Sequence, residues 1–329
     1  MRTTQLVTGA TGLLGAELVD QLLNEPEPRR IVCLVRDGVP ASRFYTEGMD
    51  QRVIVVRGDV RDENLLTRII NEYDVGTVFH LAAQTLVETA LPCPAETLDV
   101  NVRGTWAVLE AVRRVPGKVK ATIVASSDKA YGSLTTPEYD ESNPLAGVFP
   151  YDVSKSCADL IAQSYAKTYQ LNVAITRCGN FFGPGDLNES RIFPGTIHSF
   201  LRNERPIIRS DGKFVRDYIY ISDAAAAYRT LARYVETKGC PGEAFNFSYG
   251  LKLTVLQIVE TIRRSMGSSL QPVIENRIKH EIPVQSLSNR KATSVLGWKP
   301  EIGFEDGVKR TIAWYAERLA RSQSLRKVA

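Results

Sequence analysis

Residues 7–23 read VTGATGLLGAELVDQLL, with Gly9, Gly12 and Gly15 spaced three apart between a short apolar run and an amphipathic one. Where this spacing falls gives it meaning. A strand that ends near Thr8 and a helix that starts near Leu13 leave a turn too tight for side chains, and glycine supplies the backbone freedom. The same glycines let an anion reach the amides at the helix N-terminus and let the helix lie close on the strand. GxxGxxG after a strand and before a helix therefore predicts the first unit of a parallel α/β sheet, with a turn shaped for phosphate.

Working outward, the first half of the chain repeats that unit. TQLVTG, IVCLVR, VIVVRGD, TVFHLAA, ATIVASS and NVAITR read as strands, and GAELVDQLLN, NLLTRIINEY, TWAVLEAVRR and KSCADLIAQSYAKTY read as the helices between them. Such alternation predicts an α/β fold, a Rossmann-type doubly wound parallel sheet covered on both faces. After Arg177 the texture changes to CGNFFGPGDLNESRIFPG, rich in Gly, Pro and Asn. The expected division is a dinucleotide-binding domain over 1–177, to which 216–245 returns, and a smaller mixed α/β lobe from 178–215 and 246–329.

Composition narrows the function classes. The 329 residues are 43% hydrophobic and 24% charged, as in a globular protein. The start, MRTTQLVTGA, lacks the basic patch and apolar stretch of a signal peptide, and a cytoplasmic, non-membrane protein is expected. The net charge of +4 is scattered along the chain, without the stripe a nucleic-acid binder presents. Cys33, Cys93, Cys157, Cys178 and Cys240 are far apart, and His80, His198 and His280 do not cluster, so reduced cysteines and no metal site are expected.

The second strand runs IVCLVRD, where Arg36 suits a 2′-phosphate and favours NADP, while Asp37 can serve the ribose hydroxyls of NAD. Asp59 in VRGDVRD is placed either to accept from an adenine amino group or to cap the helix that follows. Further on, PYDVSKSCADLIA sets Tyr151 and Lys155 four residues apart, on one face of a helix. A phenol is a poor base at neutral pH, and a neighbouring ammonium favours its ionised form.

The glycine loop, HLAAQ at 80–84, Asn101, Ser127, Tyr151 and Lys155, Asn180 in RCGNFFGPG, RDYIYISD at 216–223 and LGWKP at 296–300 together resemble the extended short-chain dehydrogenase/reductase family. The similarity is to the NAD-dependent epimerase/dehydratase branch that acts on nucleotide sugars, and it spans nearly the whole chain. It implies that Tyr151 is the catalytic base, that Lys155 lowers its pKa and binds the nicotinamide ribose, and that Ser127 bonds the sugar oxygen being oxidised. It implies cofactor contacts at Gly9, Thr11, Gly12, Leu13, Leu14, Gly15, Arg36, Asp59, Val60, Leu81, Ala82, Ala83 and Asn101. Gln84, Ser127, Asn180, Arg191 and Arg216 are the implied contacts to the nucleotide-sugar substrate. A homodimer is implied through helices near 101–114 and 153–168, with Leu160, Ile161 and Tyr165 either on the seam or facing the sheet.

ASSDKAYG at 125–132 refines the resemblance. Most 4,6-dehydratases of this family carry Asp-Glu after the active-site hydroxyl, whereas the CDP-glucose type and the inverting UDP-N-acetylglucosamine type carry Asp-Lys, as Asp128 and Lys129 do here; HLAAQTLV and RCGNFFGPGDLNESRIFPG lean toward the CDP-glucose type. The CDP-glucose enzymes use NAD, against the lean of Arg36. In the dehydratase reading, C4 oxidation makes the C5 proton acidic; neutral Lys129 removes it, protonated Asp128 protonates O6, and hydride returns to C6. The bland alternative is that Asp128 caps a turn and Lys129 is solvated. Rival functions are a nucleotide-sugar 4-epimerase or decarboxylase and a non-catalytic dinucleotide-sensing protein. Glu189 is expected to pair with Arg191.

Overall fold

The computed structural model describes residues 4–134, 136, 138–277 and 282–328, with side chains as far as Arg321; His280 lies outside the described residues. The six apolar runs form β1 (Thr4–Thr8), β2 (Ile31–Val35), β3 (Ile54–Arg57), β4 (Val75–His80), β5 (Ala121–Ala125) and β6 (Val173–Cys178). Between them lie α1 (Leu13–Leu23), α2 (Arg43–Thr46), α3 (Glu63–Glu72), α4 (Val87–Ala90), α5 (Pro94–Leu98), α6 (Gly104–Arg113) and α7 (Pro150–Tyr169). The second half contains β7 (Asn180–Phe182), α8 (Ile192–Leu201), β8 (Ile207–Ile208), β9 (Val215–Arg216), β10 (Tyr218–Tyr220), α9 (Ile221–Lys238), β11 (Pro241–Phe247), β12 (Leu253–Thr254), α10 (Val255–Ser265), β13 (Val273–Ile274), α11 (Arg290–Leu296) and α12 (Phe304–Val328).

Among the described residues the main sheet has seven strands in the order β11-β6-β5-β4-β1-β2-β3. All of its pairings are parallel. Strand periodicity sorts the core onto two faces. Val7, Cys33, Phe79 and Ile123 bury against α1 and α9, while Leu6, Val32 and Val78 bury against α3 and α6. Each such side chain removed from water contributes about 1.5–3 kcal/mol, which fixes the register of the sheet. The connection reverses between β1 and β4, so the crevice opens at their carboxyl ends, where α/β sheets hold ligands.

The rest of the second half packs its own core, Phe182, Phe193, Ile197, Tyr218, Ile258 and Tyr315, over the carboxyl edge of the sheet. Its two-stranded pieces, β7 with β10, β9 with β12 and β8 with β13, join segments far apart in sequence. No helix among the described residues is long and apolar enough to cross a membrane.

Candidate active site

The glycine turn is as tight as its spelling requires. Gly9 has φ +75°, and a Cβ there would sit 2.8 Å from the amide nitrogen of Ala82; a Cβ on Gly15 would overlap the Gly9 carbonyl. The turn closes through Gly12 N–H donating to Gly9 O at 3.1 Å. No side chain caps α1, and its first turn has no acidic residue. Its N-terminal amides and positive dipole end are thus left to face the crevice, the arrangement a pyrophosphate fits.

A hydrogen-bonded chain supports this floor from below. Thr8 Oγ1 accepts from Leu81 N and Ala82 N, each at 3.1 Å, so its own proton goes to His80 Nδ1. His80 Nε2–H then donates to Thr105 Oγ1 at 3.1 Å, because the Thr105 hydroxyl donates to Asn101 O. Burial and the nearby Lys155 charge bring the imidazole down to about 3, so it stays neutral. Asn101 continues the chain. Its Oδ1 accepts from Gln84 N at 2.7 Å, and its Nδ2 donates to Gln84 O and to Ser154 Oγ.

The crevice leads into a cavity of about 940 Å³ that runs on under the second lobe. That lies within the range of roughly 300–1,000 Å³ for ligand pockets. Its walls include Gly9, Thr11, Gly12, Leu13, Leu14, Gly15, Arg36, Asp59, Val60, Leu81, Ala82, Ala83, Gln84, Ser127, Asp128, Lys129, Tyr151, Lys155, Asn180, Arg191 and Arg216. Of the residues expected in the site, Asn101 alone is not in the wall. It is 2% exposed, its amide spent on holding Gln84 in place, so it supports the site from behind.

Tyr151 and Lys155 sit in the first turns of α7, at most 8% exposed, under β5. Lys155 Nζ donates to Ala125 O at 2.9 Å, and burial brings its pKa down to about 8. The expected depression of the tyrosine is not what this chain shows. Burial pushes the phenol up to about 12, outweighing its hydrogen bond with Ser127.

Opposite Tyr151, Asp128–Tyr131 form a 3-10 turn capped by Ser127, whose Oγ accepts from Lys129 N at 3.2 Å. The cap is therefore Ser127, not Asp128. Asp128 is 3% exposed; its Oδ1 accepts from Ser127 Oγ, and its Oδ2 has no hydrogen-bond partner among the described residues. Leaving a buried acceptor unpaired costs about 1–3 kcal/mol. Lys129 is half-buried rather than solvated, and its ammonium donates to Gln285 Oε1.

The remaining expected contacts arrive with partners already in place. Arg36 Nε donates to Asp37 at 2.6 Å, both exposed. Asp59 receives two nitrogens of the Arg61 guanidinium, and the cap of α3 is Asp62, which accepts from Leu65 N. Arg191 pairs with Asp186 at 3.1 Å and reaches Thr85, whereas Glu189, the expected partner, pairs with Arg202 instead. The turn in which Arg191 N–H donates to Asn188 O leaves Glu189 on the exposed side. Asn180 donates to Asp217 O, and Arg216 gives one nitrogen to Ile282 O at 2.6 Å while lying over the Phe214 ring.

Sequence reading missed Asp217 and Gln285, both 0% exposed. Asp217 accepts from Ser248 Oγ, Leu251 N and Leu287 N, and burial raises its carboxyl to about 7. Only the RDYIYISD motif pointed near it.

Sheet, glycine turn and the Ser127-Tyr151-Lys155 set define the class, an NAD(P)-dependent nucleotide-sugar dehydratase or epimerase of the extended short-chain type. The sequence matches the family described as GDP-mannose 4,6 dehydratase over residues 6–311, and the chain belongs to that family. It is 31% identical over 328 residues to the dTDP-glucose 4,6-dehydratase of Streptomyces antibioticus, covering 98% of this chain and 95% of that one. It is 28% identical to the dTDP-D-glucose 4,6-dehydratase of Homo sapiens, covering 98% and 92%. Among solved structures, DesIV, a dTDP-glucose 4,6-dehydratase from Streptomyces venezuelae with NAD and TYD bound, superposes with a TM-score of 0.85 at 29% identity, covering 97% and 98%. The UDP-glucose 4-epimerase of Thermotoga maritima, with UDP-glucose, gives 0.87 at 26% identity, covering 96% and 100%.

Proposed function

We propose that this chain is a nucleotide-sugar 4,6-dehydratase, converting an NDP-hexose of the glucose type to the NDP-4-keto-6-deoxyhexose. The observation that carries the reading is Asp128, buried beside Ser127 and Lys129 with Oδ2 unpaired, lining the same cavity as Tyr151. An epimerase needs only the base and the hydroxyl at C4; a buried acid beside an amine is what elimination at C5 and C6 requires.

NAD held in the crevice would supply a hydride acceptor and donor and a positive charge that favours the phenolate form of Tyr151. Gly9, Gly12 and Gly15 bring the backbone against its pyrophosphate, and Lys155 serves the nicotinamide ribose. NAD is favoured over NADP because Arg36 is already engaged by Asp37, whose carboxylate suits ribose hydroxyls and repels a 2′-phosphate. Ser127 orients the C4 hydroxyl and Tyr151 takes its proton as hydride leaves C4. Lys129 then takes the proton from C5, and Asp128 through Oδ2 protonates the C6 hydroxyl, which leaves as water. Lys129 would give its proton back to C5 as hydride is returned to C6, and the proton taken up by Tyr151 would replace, through solvent, the one given by Asp128, so the net change is loss of one water.

In this reading residues 1–177 with 216–245 form the dinucleotide unit, and 178–215 with 246–329 hold the nucleotide sugar. Arg191, Arg216 and Asn180 line that part of the cavity and suit a diphosphate. The Asp128-Lys129 pair, shared by the CDP-glucose and inverting UDP-N-acetylglucosamine types, together with HLAAQTLV and RCGNFFGPGDLNESRIFPG, favours CDP-glucose. The chain acts in the cytoplasm, consistent with its five free cysteines. It pairs with a second copy along α6 and α7, where Leu160 is 53% and Tyr169 48% exposed while Ile161 and Tyr165 pack against the sheet-side core.

The test is incubation of the purified protein with CDP-glucose, dTDP-glucose, UDP-glucose and GDP-mannose, read by mass spectrometry for loss of one water. Loss of water from one of them supports the reading. A sugar whose C4 configuration inverts with no change in mass favours the epimerase instead.

A further inference from the structure

The acid-amine pair is gripped from across the fold by one buried side chain. Gln285 lies 156 residues from Lys129 in sequence, is 0% exposed, and is not part of the cavity wall. Its Oε1 accepts from the Lys129 ammonium and its Nε2 donates to Asp128 O at 3.3 Å, so both ends of one amide are used on consecutive residues of the 3-10 turn. The backbone carrying it is pinned to β9: Gln285 N donates to Val215 O at 3.1 Å, and Val215 N donates to Pro283 O at 2.9 Å. Two residues on, Leu287 N donates to the buried Asp217 carboxylate. Gln285 therefore ties the Asp128-Lys129 turn to the segment that carries Arg216.

We infer that Gln285 is a positioning residue for elimination: it holds the Lys129 amine and the Asp128 backbone in one geometry relative to the lobe that carries the sugar nucleotide. This rests on the dehydratase reading above and deepens it. Gln285 is not in the cavity wall, and among the described residues neither Tyr151 nor Lys155 bonds to it, so C4 oxidation does not depend on it. Elimination does, because a displacement of about 1 Å at a reacting group costs on the order of 10²-fold in rate. A glutamine serves both contacts because it carries an acceptor and a donor on one planar group. Leucine serves neither, and glutamate keeps the acceptor for Lys129 while losing the donor for Asp128 O.

The test compares wild type with Gln285→Leu and Gln285→Glu in single-turnover reactions, using the NDP-hexose that wild type dehydrates. Two signals are followed: near-ultraviolet absorbance of reduced nicotinamide for C4 oxidation, and mass loss of one water for elimination. Gln285→Leu is expected to keep oxidation near the wild-type rate, accumulate reduced nicotinamide, and lose on the order of 10²-fold in water loss. Gln285→Glu is expected to lose water no faster than Gln285→Leu, because its carboxylate holds Lys129 as the ammonium. An equal fall in both steps, or an unchanged water-loss rate in Gln285→Leu, overturns the inference. Should Gln285→Leu fail to fold, Gln285→Glu decides alone, since a folded variant with both steps at wild-type rates overturns the inference equally. A wild type that oxidises C4 but never loses water overturns the dehydratase reading itself, a result distinct from either.

Discussion

The two halves of the crevice are built on opposite terms. Under the dinucleotide loop, Thr8, His80, Thr105 and Asn101 form a chain in which each hydroxyl, imidazole nitrogen and amide atom described has a partner. Across from it, the turn at Ser127–Lys129 buries a carboxyl oxygen with none among the described residues. A fully satisfied polar network rigidifies what lies above it; an unsatisfied one holds free energy that a ligand can release. In the proposed reading the difference separates a scaffold that places a cofactor from a site that takes a sugar.

The sharpest way to break that contrast is at Tyr151. Tyr151→Phe removes the proton acceptor together with its hydrogen bond to Ser127, and C4 oxidation is expected to fall about 10²–10⁴-fold. The check is the absence of reduced nicotinamide in a folded, NAD-binding variant. Next in size is the floor itself. Gly15→Ala drives a methyl into the Gly9 carbonyl and to within 2.8 Å of Ala10 Cα, and overpacking of this kind costs about 1–3 kcal/mol. Thermal unfolding and NAD titration should both register it, whereas Gly12→Ala, with only Gly9 O at 3.4 Å, should leave unfolding nearly unchanged.

The contrast also has a signature in pH. His80, brought down to about 3 from 6.5, binds its proton only when unfolded over that window, so its contribution to stability is lost as pH falls below about 6.5. Asp217, raised to about 7 from 3.8, is protonated in the folded chain and ionised in the unfolded one between those values. Its contribution is full below about 4 and is lost as pH rises towards 7. Each slope reaches up to about 1.4 kcal/mol per pH unit, with opposite sign, and between about pH 4 and 6.5 they offset one another. Denaturant unfolding across that window should show stability falling with pH in His80→Gln and rising with pH in Asp217→Asn; parallel slopes would contradict the assignment. The smallest effect is expected at Arg36, whose exposed pair with Asp37 contributes less than about 1 kcal/mol. Arg36→Ala should change NAD affinity only slightly, with NAD still bound in preference to NADP.

How much of this was legible in the chain follows the same divide. The glycine spacing, the six strands and the Tyr151-Lys155 face are local patterns, set by residues within a turn or two of each other, and periodicity reveals them. The orientation of Asn101 was not legible, because a π-helical stretch at Asp99–Arg103 turns it inward toward Gln84. Nor were the grip of Gln285 on Lys129 or the burial of Asp217 under Leu251 and Leu287, since those contacts join segments 34 to 156 residues apart that share no motif. Glu189 shows the converse: it is close to Arg191 in sequence, yet one turn of backbone gives that arginine to Asp186.

The central claim is that Asp128 and Lys129 perform elimination and leave oxidation alone. It is tested most directly by following reduced nicotinamide and water loss together in Asp128→Asn and Lys129→Met, with the NDP-hexose that wild type converts. The account predicts reduced nicotinamide that forms and persists, with water loss down about 10²–10⁴-fold in each variant. Water loss at the wild-type rate in both, or a failure of oxidation equal to the failure of elimination, would contradict it.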